Sequence, residues 1–171
     1  MKAHAHDAGI LTVPQHSTRS ISQTPSRIRV LFLCTGNDCR SQMAEAFLRK
    51  HGRSLFVAAS AGSVPTEIHP LTIATMQDAD VRIFGQWAKS SVLFADQPFD
   101  HIVNLCARAK ELRLTHPGRF KLDYWNIEDP AAGRDAGELT RARFTRVRDE
   151  IDRRVKALIL QALNRDLSYA C

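Results

Sequence analysis

A strand followed by a short loop and an amphipathic helix is the feature that most constrains the fold of this chain. Residues 28–33 form an apolar run that is broken only by Arg29, which is typical of a strand buried on both faces of a parallel sheet. Apolar residues then recur at helical spacing over 41–50, and Gly52 supplies a helix stop. Parallel strands need helical crossovers, so the pattern favours an α/β protein.

The rest of the chain continues this alternation. Further segments predict a strand over 55–59, a helix from Pro70 that carries Val81, a strand over 99–105, a short helix after Cys106, a strand within 120–127 and a long helix over 139–162. The predicted fold class is therefore α/β, a three-layer, doubly wound, four-stranded parallel sheet with helices on both faces.

Three candidate functional residues follow the ends of predicted strands. Ligands of doubly wound sheets bind at the carboxyl ends of the strands. Cys34, Cys106 and Asp129 each lie at or just beyond such an end. We therefore expect these three side chains to meet at one edge of the sheet.

The chain of 171 residues suits one domain. We predict a flexible N-terminal extension over 1–26, a domain over 27–165 and a C-terminal tail over 166–171. Three histidines lie in the extension, where carboxylates are scarce, and no metal site is predicted from them. They are His4, His6 and His16.

The net charge of +6 suits a small anionic substrate, but the same charge also fits a solvated basic surface. No apolar stretch approaches the roughly 20 residues of a membrane-spanning helix. Four cysteines do not make a disulfide framework in a chain of this length. We expect a cytoplasmic enzyme whose partners include neither nucleic acid nor a membrane.

The loop after the first strand has the features of an anion site. It leads into a helix N-terminus, where free backbone N–H groups and the helix dipole attract negative charge. The predicted oxyanion-binding residues are Thr35, Gly36, Asn37, Asp38, Cys39 and Arg40. The same field predicts a lowered pKa for Cys34, which would make its sulfur a nucleophile.

Two neighbours of that cysteine have predicted catalytic roles. The guanidinium of Arg40 matches two oxygens of a phosphate-like group, and Ser41 can donate to the Cys34 sulfur. Cys39 is predicted to face the helix packing in a structural role. Asp38 is expected to point outward, because a carboxylate aimed into the loop would oppose the thiolate and the oxyanion.

Residues 30–45, with the sequence VLFLCTGNDCRSQMAE, resemble the signature of thioredoxin-type arsenate reductases, which share the fold of low-molecular-weight tyrosine phosphatases. The resemblance covers about residues 28–158. Gln42 stands where the phosphatases usually carry proline, and Asp129-Pro130 lacks the paired tyrosines that often follow it in phosphatases. Both differences favour the reductases. Further matches are ASAG at 59–62, HP at 69–70, DPA at 129–131 and FTRVRDEI at 144–151.

The resemblance implies a role for each candidate. Cys34 would be the nucleophile, Asp129 the general acid, and Cys106 the resolving thiol that attacks the Cys34 sulfur, expels arsenite and leaves a disulfide. Without the resemblance, an aspartate before proline is typical of a turn, and a cysteine at a strand end is typical of the core. The reaction predicted from the resemblance is reduction of arsenate to arsenite.

The sequence leaves more than one reductant possible. Three-cysteine members carry their last redox cysteine seven positions after the second, and that position is Arg113 here. Cys171 could substitute from the tail, although a terminal cysteine is more often incidental. We expect no bound cofactor and an external thiol reductant, either thioredoxin, glutaredoxin or a low-molecular-weight thiol.

Two alternatives also fit the sequence. A low-molecular-weight protein tyrosine phosphatase would use the same loop and acid, hydrolyse a phosphocysteine intermediate with water, and have no need of Cys106. An oxyanion-binding or redox-sensing protein with little turnover is the second alternative. Asp38 and Arg113 are the two features that support it.

Overall fold

The computed structural model describes residues 26–106, 116–132 and 138–168, without the side chains of 138–140 and 165–168. Four strands form one parallel sheet in the order β2-β1-β3-β4. This sheet confirms the predicted α/β class and the count of four strands. The strands are β1 (Ile28–Cys34), β2 (Phe56–Gly62), β3 (His101–Asn104) and β4 (Lys121–Tyr124).

The central strand β1 is buried on both faces, as its apolar run predicts. Val30 and Phe32 join one core cluster, whereas Leu31 and Leu33 join the other, because successive side chains alternate across a sheet. In the parallel register Cys34 lies beside Gly62 of β2. The carboxyl end of β1 is therefore enclosed by its neighbours, and this edge carries the site.

The first face of the sheet is covered by the helices α1 (Arg40–Gly52), α2 (Pro70–Gln77) and α3 (Glu138–Ser168). The apolar period of α3 is buried as predicted, in contact with this core. None of the helices that the structure describes is long and apolar enough to cross a membrane. The buried side chains of α3 are Phe144, Val147, Ile151, Val155, Leu158 and Ala162.

The prediction for α2 was wrong at its C-terminal end. The helix ends at Gln77, and Val81 lies beyond it, although its side chain is still buried. The N–H groups of Ala79 and Val81 both donate to the carbonyl of Met76. Asp80, between them, has a left-handed φ of 53°. These bonds close the helix, so the burial of Val81 comes from a turn rather than from helical spacing.

The second face of the sheet packs against different residues. Phe99 and Ile102 join its core cluster, with Phe120 and Phe94 at the margin. Phe94 ends a short 3-10 turn, Ser91–Phe94. The short helix predicted after Cys106 falls on 107–115, outside the described residues, as do Cys171 and the three histidines of the N-terminal extension.

Three arginines on the outer faces of α3 have partners within the chain. Arg143 and Arg146 both pair with Glu128, at 3.0 and 2.9 Å. Arg148 donates to the carbonyl of Thr75 in α2 at 2.8 Å. These contacts tie α3 to its neighbours, so these three arginines have structural roles without an external anion.

Candidate active site

The loop over 35–39 is anchored through its carbonyl oxygens. The N–H groups of Val64, Thr66 and His69 donate to the carbonyls of Thr35, Gly36 and Asp38, at 3.0, 2.9 and 3.1 Å. In a trans peptide the following N–H points away from the carbonyl. The N–H groups that follow these three carbonyls are therefore directed away from the anchoring segment, into the curve of the loop.

One of these N–H groups is seen to reach the candidate nucleophile. Asn37 donates its backbone N–H to the Sγ of Cys34 at 3.2 Å. An oxyanion at the sulfur would meet the same set of inward N–H groups at the start of α1, which is the arrangement expected of an anion site. The fold thus brings together the loop that the sequence predicts to bind an anion.

Gly62 is required by the close approach of this loop to β2. A Cβ at this position would lie 2.5 Å from the carbonyl oxygen of Thr35 and 2.9 Å from the backbone nitrogen of Asn37. Both of these atoms belong to the backbone and cannot swing aside. A larger residue at Gly62 would therefore displace the loop from the Cys34 sulfur.

Asn37 holds the loop in a conformation that is uncommon for a residue other than glycine. Its φ is 48°, in the left-handed region. The side-chain Nδ2 donates to Ser41 Oγ at 2.7 Å and to Ser60 Oγ at 2.9 Å. Its Oδ1 accepts from Gln42 Nε2 at 3.0 Å and from the Lys89 N–H at 2.7 Å. The hydrogen-bonding capacity of this buried amide is fully used, which stabilises the strained backbone.

Cys34 is completely buried at the end of β1, and its Sγ lies 2.9 Å from Ser41 Oγ. Burial raises the pKa of the Cys34 thiol, while hydrogen bonds from Ser41 and Asn37 and the charge of Arg40 act to lower it. The prediction of a lowered pKa was therefore wrong. The expected field is present, but loss of hydration outweighs it.

Arg40, the first residue of α1, is held by partners from the segment beyond β4. Its guanidinium donates to the Ile127 carbonyl at 3.1 Å and to Asp129 Oδ2 at 2.8 Å. A carboxylate beside the guanidinium offsets the positive charge that acts on Cys34. Within the described residues the buried Nε of Arg40 has no hydrogen-bond partner, so it remains a donor for an oxyanion.

Asp129 lies beyond β4, where its side chain is 42% exposed. Its Oδ1 accepts from the N–H of Ala131 at 3.1 Å, a contact typical of a turn. Its other oxygen binds Arg40 in the loop. The side chain of Asp129 therefore both forms the turn and contacts the candidate active site. Neighbouring Glu128 holds this segment against α3 through Arg143 and Arg146.

Cys106 reaches the same edge of the sheet, two residues after the end of β3. Its Sγ lies 3.5 Å from Thr35 Oγ1, the hydroxyl of the residue next to Cys34. Its backbone N–H donates to Asn104 Oδ1 at 3.1 Å, and its side chain is 7% exposed. The fold therefore brings Cys34, Cys106 and Asp129 to one place, as expected.

The two remaining loop residues differ in setting. Cys39 is buried, and burial together with the charge of Asp38 raises its pKa, so this thiol is a weak nucleophile. Asp38 folds its carboxylate back beside Gly36. A Cβ added to Gly36 would lie 2.7 Å from Asp38 Oδ1. The Asp38 carbonyl also accepts from the Thr72 hydroxyl at 3.1 Å.

Sequence reasoning missed a polar cluster behind the loop. Lys89 Nζ lies 3.3 Å from Glu45 Oε2, and Ser60 donates a short hydrogen bond to the same oxygen. Glu45 and Ser60 lie within the segments that carry the family resemblance, so their motifs contained a signal. No sequence motif pointed to Lys89, because it is far from the loop along the chain and contacts it only in the folded structure.

Known proteins resemble the chain over most of its length. The family model for low molecular weight phosphotyrosine protein phosphatase matches residues 29–169. The chain belongs to this phosphatase family. Within it, the chain is 35% identical over 133 residues to an arsenate reductase of Bacillus licheniformis, covering 77% of this chain and 94% of that one.

Solved structures similar to the chain give a consistent result. An arsenate reductase in its phosphate-binding state has a TM-score of 0.67 and 29% identity, covering 78% of this chain and 98% of the other. A thioredoxin-dependent arsenate reductase of Corynebacterium glutamicum has a TM-score of 0.62 and 27% identity, covering 82% and 65%. The fold and the family of the chain agree with the resemblance found in its sequence.

Proposed function

We propose that this protein reduces arsenate to arsenite, with Cys34 as nucleophile and Cys106 as resolving thiol. The observation that carries the proposal is the second cysteine at the nucleophile's edge of the sheet, 3.5 Å from the hydroxyl of Thr35. Similarity to arsenate reductases over about three quarters of the chain supports it. A phosphatase needs only one thiol, so a second beside the loop favours redox chemistry.

The first step joins sulfur to arsenic. The Cys34 thiolate attacks arsenate and displaces one oxygen, which leaves as water after protonation. Arg40 and the loop N–H groups hold the remaining oxygens. Asp129 is the proposed acid, and it is now paired with Arg40 at 2.8 Å. Binding of the oxyanion must separate this pair, which delivers the guanidinium to the substrate and the carboxyl group to the leaving oxygen.

The second step transfers two electrons. Cys106 attacks the Cys34 sulfur, a disulfide forms, and the bonding pair of the sulfur–arsenic bond stays on arsenic, which leaves as arsenite. Two thiols are oxidised and one As(V) becomes As(III), so the electrons balance. Each turnover then requires a thiol reductant to reopen the disulfide, and for this reason we place the reaction in the reducing cytoplasm.

We propose thioredoxin as that reductant, because a structural neighbour of the chain is a thioredoxin-dependent arsenate reductase. Glutaredoxin and low-molecular-weight thiols are the other outcomes of the test. Arg113 and Cys171, which bear on how the disulfide would be relayed, lie outside the described residues. Recycling by each reductant in turn, with arsenite as the measured product, distinguishes the three.

Hydrolysis of a phosphotyrosine ester is the second candidate, favoured by the description of the matching family. The same loop, Arg40 and Asp129 would serve it, with water in place of Cys106 in the second step. Gln42 bears against it, because its Nε2 donates to the Asn37 carbonyl at 2.9 Å, a bond that the proline usual in phosphatases cannot make.

Replacing Cys106 by serine separates the two candidates. We expect arsenite production by the Cys106→Ser variant with thioredoxin to fall to the background, because water cannot reduce arsenic. Any cleavage of an aryl phosphate by the variant should stay within about tenfold of the parent, or about 1.4 kcal/mol in barrier. The parallel assays measure arsenite and free phosphate.

Cys39→Ser is the matched control, since it removes another buried thiol of the same region. Brisk ester cleavage by the parent, without arsenite from any reductant, would show that the protein is a phosphatase. Undiminished arsenite from the Cys106→Ser variant would show that an external thiol attacks the Cys34 adduct directly.

A further inference from the structure

An ion pair lies behind the anion loop, out of reach of the substrate. The side chain of Lys89 is 7% exposed and that of Glu45 is 1% exposed. Lys89 Nζ lies 3.3 Å from Glu45 Oε2 and donates to the Trp87 carbonyl at 2.9 Å. The other carboxylate oxygen of Glu45 pairs with the half-exposed side chain of Arg49. Burying two opposite charges costs hydration, and an apolar pair of similar volume is often no less stable. The pair therefore calls for a role other than stability.

This pair reaches the loop by two routes, and both end on Asn37. The backbone N–H of Lys89 donates to Asn37 Oδ1 at 2.7 Å. The carboxylate of Glu45 accepts from the Ser60 hydroxyl, whose oxygen accepts from Asn37 Nδ2 at 2.9 Å. The oxygen of the Asn37 amide is therefore held by the backbone of Lys89. The nitrogen is held by the Lys89 side chain, through Glu45 and Ser60.

Asn37 is the residue in the loop whose placement controls the nucleophile. Its backbone N–H donates to Cys34 Sγ at 3.2 Å, and its Nδ2 donates to Ser41 Oγ, which lies 2.9 Å from the same sulfur. Its left-handed backbone is unfavourable without such contacts. A shift of Asn37 would withdraw two hydrogen-bond donors from the thiolate at once.

We propose that Lys89 is a positioning residue for the reaction: its buried ion pair with Glu45 holds Asn37 so that two hydrogen bonds reach the Cys34 sulfur. The residue acts on the sulfur rather than on the bound anion. This inference rests on the proposed role of Cys34 as nucleophile, but the alkylation of Cys34 measures it without arsenate, so each proposal can fail alone.

The first test is the Lys89→Met variant, which keeps the side-chain length and removes the charge. Labelling of Cys34 by iodoacetamide at pH 7 should slow roughly tenfold, because fewer sulfurs are thiolate without the two donors. Turnover should show a lower kcat with KM nearly unchanged. Arg40 and its partner Asp129, the charged groups at the sulfur, are the same in parent and variant.

Lys50→Met is the matched control. Lys50 also donates to backbone carbonyls, those of Ala79 and Asp80 at 3.1 and 3.3 Å, but on the exposed side of the molecule. The rate of Cys34 labelling at each pH should be the same in Lys50→Met as in the parent. Thermal unfolding of each variant shows how much stability has changed.

The double variant Lys89→Met/Glu45→Met guards against a misfolded single variant, since it also removes the buried carboxylate, which Lys89→Met leaves paired with Arg49 but without its buried partner. It should recover the melting temperature lost in Lys89→Met, while Cys34 labelling stays slow, because Ser60 has lost its acceptor and Asn37 its support. Parental labelling rates in the folded double variant would overturn the proposal. A fall in kcat that tracks melting temperature, with an unchanged pH profile of labelling, would do the same.

Discussion

The two sides of the active site are held by different means. On the nucleophile side, Cys34 and Asn37 are buried and their polar atoms are bonded to neighbours in the fold. On the acid side, Asp129 is 42% exposed and is held by an ion pair with Arg40. The nucleophile side is therefore organised before substrate arrives, whereas the acid side has to exchange its partner.

The two sides of the active site therefore have different roles in the proposed reaction. A buried network keeps hydrogen-bond donors in place when charge develops, which is how preorganised sites stabilise a transition state. The Asp129 end of the ion pair is open to solvent, which weakens the attraction between the two charges, so an incoming oxyanion can replace the carboxylate at Arg40. Changes on the nucleophile side should therefore remove activity, whereas changes on the acid side should lower turnover while making the Cys34 thiol more reactive.

The largest expected effect comes from Cys34→Ser. Arsenite production and ester cleavage should both fall by roughly 10⁴-fold or more, because each begins with a bond to this sulfur. Cys39→Ala, a change at the neighbouring buried thiol, should keep turnover within about tenfold of the parent. Steady-state rates measure both. An equal loss of turnover in the two variants would mean that Cys34 is not the specific nucleophile of the loop.

Asp129→Asn should act on the two sides in opposite directions. Loss of the acid should lower turnover roughly 10²- to 10⁴-fold. The charge of Arg40 acts to lower the pKa of Cys34, so removing the carboxylate that offsets it should increase the thiolate fraction and speed alkylation at pH 7. Mass mapping of iodoacetamide labelling measures this.

The matched control for that change is Asp123→Asn, since Asp123 pairs with Lys121 on β4 at 3.1 Å. Neither turnover nor labelling should change in this control. Slower labelling of Cys34 in Asp129→Asn would contradict the view that the ion pair restrains the nucleophile.

The smallest effect is expected from Glu128→Gln, which loosens the acid segment from α3. Turnover should fall less than about fivefold, because exposed ion pairs contribute little. Hydrogen bonds from Arg143 and Arg146 lower the pKa of Glu128, so its stabilisation is complete above the ordinary glutamate pKa and is lost as pH falls through the lower folded value.

The difference in melting temperature between parent and Glu128→Gln should therefore be constant near neutral pH and shrink below about pH 4. Glu150→Gln, which breaks a pair with Arg154 at 2.7 Å elsewhere on α3, is the control for turnover. If both variants lose turnover equally, anchoring of the acid segment is not the cause.

Several features could be predicted from the sequence because they depend on neighbours along the chain. An apolar run bounded by a loop specified β1, and apolar periodicity specified the buried face of α3. The anion loop is equally local, since Cys34 to Ser41 contains the nucleophile, the guanidinium and the helix N-terminus. The end of α2 was misjudged at Val81, because burial in a turn and burial on a helix look alike in sequence.

The carboxyl-end rule for parallel sheets predicted that Cys34, Cys106 and Asp129 would meet, but only the tertiary structure decided what they contact. The chain order does not state that Asp129 pairs with Arg40, or that Lys89 lies behind Asn37. The pKa of Cys34 was misjudged for the same reason. Helix ends and charges can be seen along a sequence, whereas loss of hydration depends on every segment that packs around an atom, and at Cys34 that loss is the larger effect.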